Sequence, residues 1–185
     1  NDYRNELISR DAHKYDDDTQ VLITVETLEH ALALKKKLPE FEIVYSPDTQ
    51  DDDDWRYFAR EGLLYEGFRP MTHERKQKLT RRFEQGKLKK VIATTVWNVG
   101  VNFRHLQVLI RGAGGGSPTN DTQIPCRNAR KHLEGDHKKR KGVVHDYKDQ
   151  FDRGFRRKAL NREASYERSG WKQIHPDRKN RSKLR

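Results

Sequence analysis

Cysteine is nearly absent. Cys126 stands alone in 185 residues, so no internal disulfide framework exists, and a reducing compartment such as the cytoplasm is expected. Long apolar runs are missing as well. Nothing approaches the roughly 18–20 consecutive residues that cross a bilayer, so no membrane partner is expected. The first twenty residues are polar and acidic and do not read as a signal peptide. Apolar residues are scarce at 32%, against 36% charged, so the core must be economical. The chain also lacks a G-x-x-x-x-G-K-[ST] phosphate loop and an acidic D-E-x-H box. Gly112–Ser117 follows a strand-like run but has no lysine to meet phosphates, and is read as a connection.

What is abundant is positive charge, unevenly placed. The net charge is +11; residues 153–185 hold twelve Lys/Arg and three Asp/Glu, leaving +2 for the other 152 residues. A basic end on a balanced domain is the usual footprint of a nucleic-acid partner; the alternative is a solubilising disordered tail.

Five Val- and Ile-rich runs read as buried strands: Val21–Val25, Glu42–Tyr45, Val91–Thr94, Leu106–Arg111 and Val143–Tyr147. Helices are expected after Thr27 (Leu28, Ala31, Leu32, Leu38), from Thr72 through Leu79 and Phe83 to Gly86, over Asn120–Lys131, and from Gln150 to Gly170. The last should present Phe151, Phe155, Ala159 and Tyr166 on one side. This alternation predicts an α/β domain, a parallel sheet flanked by helices, with ligands outside the carboxyl ends of the strands. The expected division is a lead-in over 1–20, the α/β domain over 21–150, a packed helix over 151–171 and a basic, flexible tail over 172–185. Asp51–Asp54 reads as a solvated insertion loop, because consecutive carboxylates point in different directions and rarely share one ion.

Gln123, Arg127 and Arg130 stand at i, i+4 and i+7 on one helix face. Two guanidiniums and an amide there could hold a polyphosphate, or could be an ordinary solvated face. Cys126, His132 and His137 are too loosely spaced for zinc, and no metal site is expected. His145-Asp146 reads as a structural pair ending the fifth strand.

Val91–Phe103 and Gln123–Arg130, in that order and separation, resemble motifs V and VI of superfamily 2 helicases, and Val21–Thr27 resembles motif IV. The likeness is to the second, RecA-like lobe of RecG- and UvsW-like enzymes and of phage-borne DEAD/DEAH-type helicases. In the phage group the segment Gly142–Tyr147 and its continuation to Gly170-Trp171 are similar too.

The resemblance implies a lobe of an ATP-driven DNA helicase or translocase. Arg127 and Arg130 would reach the γ-phosphate of ATP with Mg2+, held mainly by a separate N-terminal lobe, with Gln123 orienting them. Gly100 and Asn102 would sit at the nucleotide side. Thr24, Thr27, Thr94, Thr95, Trp97 and the basic run Lys138, Lys139, Arg140 and Lys141 would contact DNA, with a buried or interlobe place for Trp97 equally open. Two positions depart from the family pattern: Asn102 stands where aspartate is usual, and Cys126 where glycine is usual. These departures leave a second reading open, a non-catalytic lobe that binds nucleic acid or a partner.

Overall fold

The computed structural model describes residues 2–97, 103–113, 142–148 and 152–175. Four-residue strands β1 (Val21–Thr24), β3 (Lys90–Ala93), β4 (Val108–Arg111) and β5 (Val143–Asp146) join a shorter β2 (Glu42–Val44). They form one sheet in the order β2-β3-β1-β4-β5, every pairing parallel. Every residue of β1, β3 and β4 is buried, as continuous apolar strands covered on both faces should be. The expected parallel α/β domain is therefore present, with strand ends displaced by a residue or two.

Helix α2 (Leu28–Lys37) begins where Thr27 accepts a hydrogen bond from the His30 amide, and it buries Leu28, Ala31, Leu32 and Leu34. Thr72 caps α4 (His73–Glu84) in the same way, through the Arg75 amide, and Leu79 and Phe83 face the core. Gly86 ends that element at φ 69°, a left-handed conformation that favours glycine.

Two segments differ from expectation. Asp51–Asp54 opens a helix, α3 (Asp52–Arg60), instead of forming a loop. Asp51 accepts from the Asp53 and Asp54 amides at 3.0 Å each, and Asp54 Oδ2 accepts from the Asp51 amide at 3.2 Å. This reciprocal capping box uses the acidic run as a helix start, where negative charge also complements the helix dipole. Beneath it Trp55 packs against Phe58, Phe68 and Tyr45.

The second is the lead-in, which contains helix α1 (Asp2–Ala12). Ile8 and Ala12, one turn apart, enter the core at 0% and 1% exposure. The rest of its inner face is polar and paired: Asn5 accepts from His30 Nε2 at 2.8 Å. Asp11 accepts from Lys14 at 2.6 Å and from the Tyr147 hydroxyl at 3.1 Å. Apolar periodicity cannot reveal a helix docked largely by hydrogen bonds.

Helix α5 (Arg153–Arg168) starts at Asp152, which accepts from the Gly154 and Phe155 amides. Ala159 and Tyr166 are buried as expected, but Phe155 is 39% exposed; Phe151 lies outside the described residues. The central inward residue is Arg162, 1% exposed. Its Nε and NH2 donate to the two Asp146 carboxylate oxygens at 2.8 and 3.1 Å, and NH2 also donates to the Tyr147 carbonyl. The Tyr166 hydroxyl donates to Asp146 at 2.8 Å and accepts from Arg111 at 2.7 Å. Burial and the Asp146 charge push that hydroxyl's pKa up. Asp146 is thus paired with α5 and not with its neighbour His145. His145 pairs on the other face, its Nε2 2.6 Å from the Tyr15 hydroxyl and its Nδ1 3.6 Å from Asp11. No helix among the described residues is long and apolar enough to cross a membrane.

Replacing Asp146 with Asn removes the charge between two buried guanidiniums. Unfolding in urea is expected to show a loss of about 3–5 kcal/mol, the usual cost of stranding a buried charge. His30 supplies a pH test. Burial, with the Arg4 guanidinium adding to it, pushes its pKa down to about 4, while the unfolded chain protonates near about 6.5. The unfolded state therefore binds more protons between these values, and stability falls as pH drops from about 6.5 towards 4. His30→Gln should flatten that part of the melting temperature–pH curve; an unchanged slope would refute the assignment.

Candidate nucleic-acid interface

The carboxyl ends of β1, β2 and β3 lie side by side, so their following loops converge. Backbone bonds hold two of them: Val25 N donates to Ala93 O at 2.9 Å, and Thr94 N donates to Val44 O at 3.0 Å. Between these loops and α3 lies a cleft of about 410 Å³. Glu26 and Thr27 come from the first loop, Ser46, Thr49 and Gln50 from the second, and Thr94, Thr95 and Val96 from the third. Asp54, Tyr57 and Phe58 of α3 close the remaining side.

The chemistry of its walls is asymmetric. Thr27 is exposed, and its oxygen accepts from the His30 amide at 3.2 Å. Its own hydroxyl proton can still be donated into the cleft. Thr95 is exposed on the short 3-10 turn Thr95–Trp97. These hydroxyls, beside the amino end of α2, make one side suited to an anion. Across from them Tyr57 donates to Glu29 at 2.9 Å, a bond that raises the phenol's pKa. Glu26 and Asp54 add two further carboxylates, and among the described residues no Lys or Arg lines the cleft. Such a groove offers hydroxyl donors on its threonine side and carboxylate acceptors elsewhere.

Three expected contacts therefore come together: Thr27, Thr94 and Thr95. Thr94 is the most recessed, at 8% exposure. Thr24 does not join them. It lies inside the central strand, 7% exposed, and its carbonyl instead accepts from the Gly112 and Ala113 amides at 2.8 and 3.1 Å. Trp97 is also a correction. Its ring is 4% exposed, packed 5.1 Å from both Phe83 and Phe103 between ring centres. Its Nε1–H donates to Thr80 at 3.1 Å. Trp97 belongs to the core, and no ring face is open to a base. Gly100, Asn102, Gln123, Cys126, Arg127, Arg130, Lys138, Lys139, Arg140 and Lys141 lie outside the described residues, as does the helix expected over Asn120–Lys131.

Gly112 begins the glycine-rich connection, and its lack of a side chain has a packing cause. A Cβ there would stand 2.9 Å from Val25 Cγ1 and 3.0 Å from the Thr24 carbonyl oxygen. The chain leaves β4 pressed against the β1 exit. Gln50 and Tyr57 were not anticipated in the cleft; both depend on α3, whose helical start was hidden in an acidic run.

Residues 4–132 match the family described as the helicase conserved C-terminal domain. No curated protein matches the sequence. Among solved structures, the chain is similar to the C-terminal domain of the DEAD-box protein Dbp5, with a TM-score of 0.56 at 16% identity over 92% of this chain and 79% of that one. It is similar to S. cerevisiae Dbp5 bound to RNA and ADP BeF3, with a TM-score of 0.54 at 16% identity over 89% of this chain and 35% of that one. It is also similar to T4 UvsW, with a TM-score of 0.53 at 13% identity over 92% of this chain and 33% of that one. The chain thus spans about a third of the two longer structures. These likenesses establish the RecA-like fold.

Trp97→Ala should cost about 3–5 kcal/mol in urea unfolding, as loss of a buried aromatic does. Trp97→Phe should leave nucleic-acid affinity within about twofold, because no base reaches a ring at this depth. A larger loss of affinity in the stable Phe variant would restore Trp97 to the interface.

Proposed function

The chain belongs to the helicase conserved C-terminal domain family, and from that premise we propose that it is the second motor lobe of an ATP-dependent superfamily 2 DNA helicase or translocase. The observation that carries the reading is the convergence of Thr27, Thr94 and Thr95, from the loops after β1 and β3, on one cleft at the carboxyl edge of a parallel sheet. Hydroxyls and helix-end amides grip phosphates without reading bases, which suits a track along which a strand must slide. DNA as the strand rests on the resemblance to RecG- and UvsW-like enzymes; a similar structure is of a protein bound to RNA.

The proposed division of labour follows from the residues the chain has and lacks. Without a phosphate loop it cannot hold ATP and Mg2+ itself, and a separate N-terminal lobe supplies that site. Arg127 and Arg130, with Gln123 beside them, would bring positive charge to the transferring phosphoryl group. Gly100 and Asn102 would lie at the nucleotide side, and Lys138, Lys139, Arg140 and Lys141 would add phosphate contacts. The second reading, a non-catalytic lobe that binds nucleic acid or a partner without hydrolysis, is favoured by Cys126 and Asn102. The carboxylates of Glu26, Glu29 and Asp54 in the cleft favour a partner over nucleic acid at that place.

Joined to a phosphate-loop lobe, the protein should show DNA-stimulated ATP turnover. Arg130→Ala should lower turnover by at least about 100-fold, the scale of a lost charge stabiliser, with DNA affinity nearly unchanged. Absent turnover in the parent would select the non-catalytic reading. Thr27→Val with Thr95→Val should weaken single-stranded DNA binding about tenfold, at about 0.5–1.5 kcal/mol per lost hydrogen bond, and unchanged affinity would remove the cleft from the track.

A further inference from the structure

Among the described residues the cleft has hydroxyls but no cation, and these supply little of the electrostatic attraction that dominates nucleic-acid affinity. Among the described residues, a concentrated array of cations stands elsewhere, on α5. That helix carries Arg153, Arg156, Arg157, Lys158, Arg162 and Arg168 against Glu163 and Glu167. Arg162 is spent on Asp146. Glu163 is engaged by Lys148 at 2.7 Å and faces His175 at 3.6 Å.

Apart from Lys158, the remaining cations lie on or beside the outer side. At 100° per residue, Arg153, Arg157 and Arg168 fall within one stripe opposite the buried Ala159, Arg162 and Tyr166. Arg156 flanks it. All four are exposed and, among the described residues, have no ion pair. The stripe is about 22 Å long at 1.5 Å per residue.

Its charge order also runs against helix electrostatics. The first turn has no acidic residue, and Arg153, Arg156, Arg157 and Lys158 crowd the amino end, where the backbone is already positive. Asp152 at the N-cap supplies one carboxylate there, which leaves the four cations in excess; an external polyanion would relieve that excess.

We infer that the outer face of α5 is a second nucleic-acid surface, which grips the sugar–phosphate backbone of a duplex. No aromatic residue lies in the stripe: Phe155 falls on the inward side of the helix, with Lys158 Nζ 5.3 Å from its ring centre. Single strands are held by stacking as well as charge, whereas a duplex offers dense phosphate lines and hides its bases. Position supports this occupant. Arg162 and Tyr166 fix α5 to Arg111 and Asp146, the last residues of β4 and β5, at the same edge of the sheet on which the cleft opens. A strand in the cleft and its duplex arm on α5 would meet one edge of the lobe together. The inference extends the nucleic-acid reading of the cleft, and it is independent of ATP use.

The test uses the full 185-residue chain and a blunt 20-base-pair DNA, with affinity followed by fluorescence anisotropy across a salt series. The variant R153Q/R157Q/R168Q should weaken duplex binding at least tenfold at low salt, and the slope of log affinity against log salt should fall by about 2.7 for three lost contacts. The control K78Q/R81Q/R82Q on exposed α4 positions removes the same charge and should change affinity less than threefold. Thermal melting of both confirms folding, and R153K/R157K/R168K should retain duplex binding. An unchanged duplex affinity in the α5 variant overturns the inference, as does an equal loss in the α4 control. An equal loss on single-stranded DNA overturns the duplex assignment. Failure of the cleft reading is separate, seen as Thr27→Val with Thr95→Val leaving single-strand binding intact while α5 still controls the duplex.

Discussion

A buried guanidinium is costly to desolvate, and Arg162 is acceptable at 1% exposure only because Asp146 meets it with both oxygens. Much of the described architecture on that side depends on this pair. It fixes α5 over β5, which would otherwise present a bare sheet edge. It also holds Tyr166, whose hydroxyl reaches Arg111, so β4, β5 and α5 share one set of bonds. Trp171 then stacks on Tyr166 with ring planes 7° apart, which carries order past the helix end.

The same economy appears wherever the apolar supply runs short. Gln20 is 1% exposed, and its side-chain amide donates to the Phe83 and Leu88 carbonyls at 2.6 and 3.0 Å, closing the end of α4. Lys90 bridges to the Tyr15 and Asp16 carbonyls, tying the chain after α1 to β3. In a sequence with more charged than apolar residues, polar side chains take on docking that aliphatic contacts usually perform. Such bonds are directional and specify one arrangement.

This explains what was legible in the sequence. β1, β3 and β4, and the helices begun by Thr27 and Thr72, follow rules of burial and capping that act over a few residues. α1 follows a different rule, since its inner face is made of acidic and amide side chains whose partners lie far along the chain, as with Asp11 and Tyr147. α3 instead begins at a local capping box concealed within a run of four carboxylates. The candidate site divides similarly. Thr27 and Thr95 were readable as loop residues at strand ends. Trp97 was misplaced because its surroundings, Phe83 and Phe103, are brought together only by the fold. Gln50 and Tyr57 could not be placed without α3.

Parallel strands carry no tight turn to set their alignment, so an edge strand such as β5 needs another device. His145 and Asp146 point to opposite faces, one towards Asp11 and Tyr15, the other towards Arg111 and Arg162. A slip of one residue would carry each to the opposite face. Asp146 could then lie on the side of the Asp11 carboxylate, and Arg111 and Arg162 would lose their anion. Two adjacent residues of opposite chemistry thus act as a register key for the strand, one that apolar neighbours of similar size could not provide.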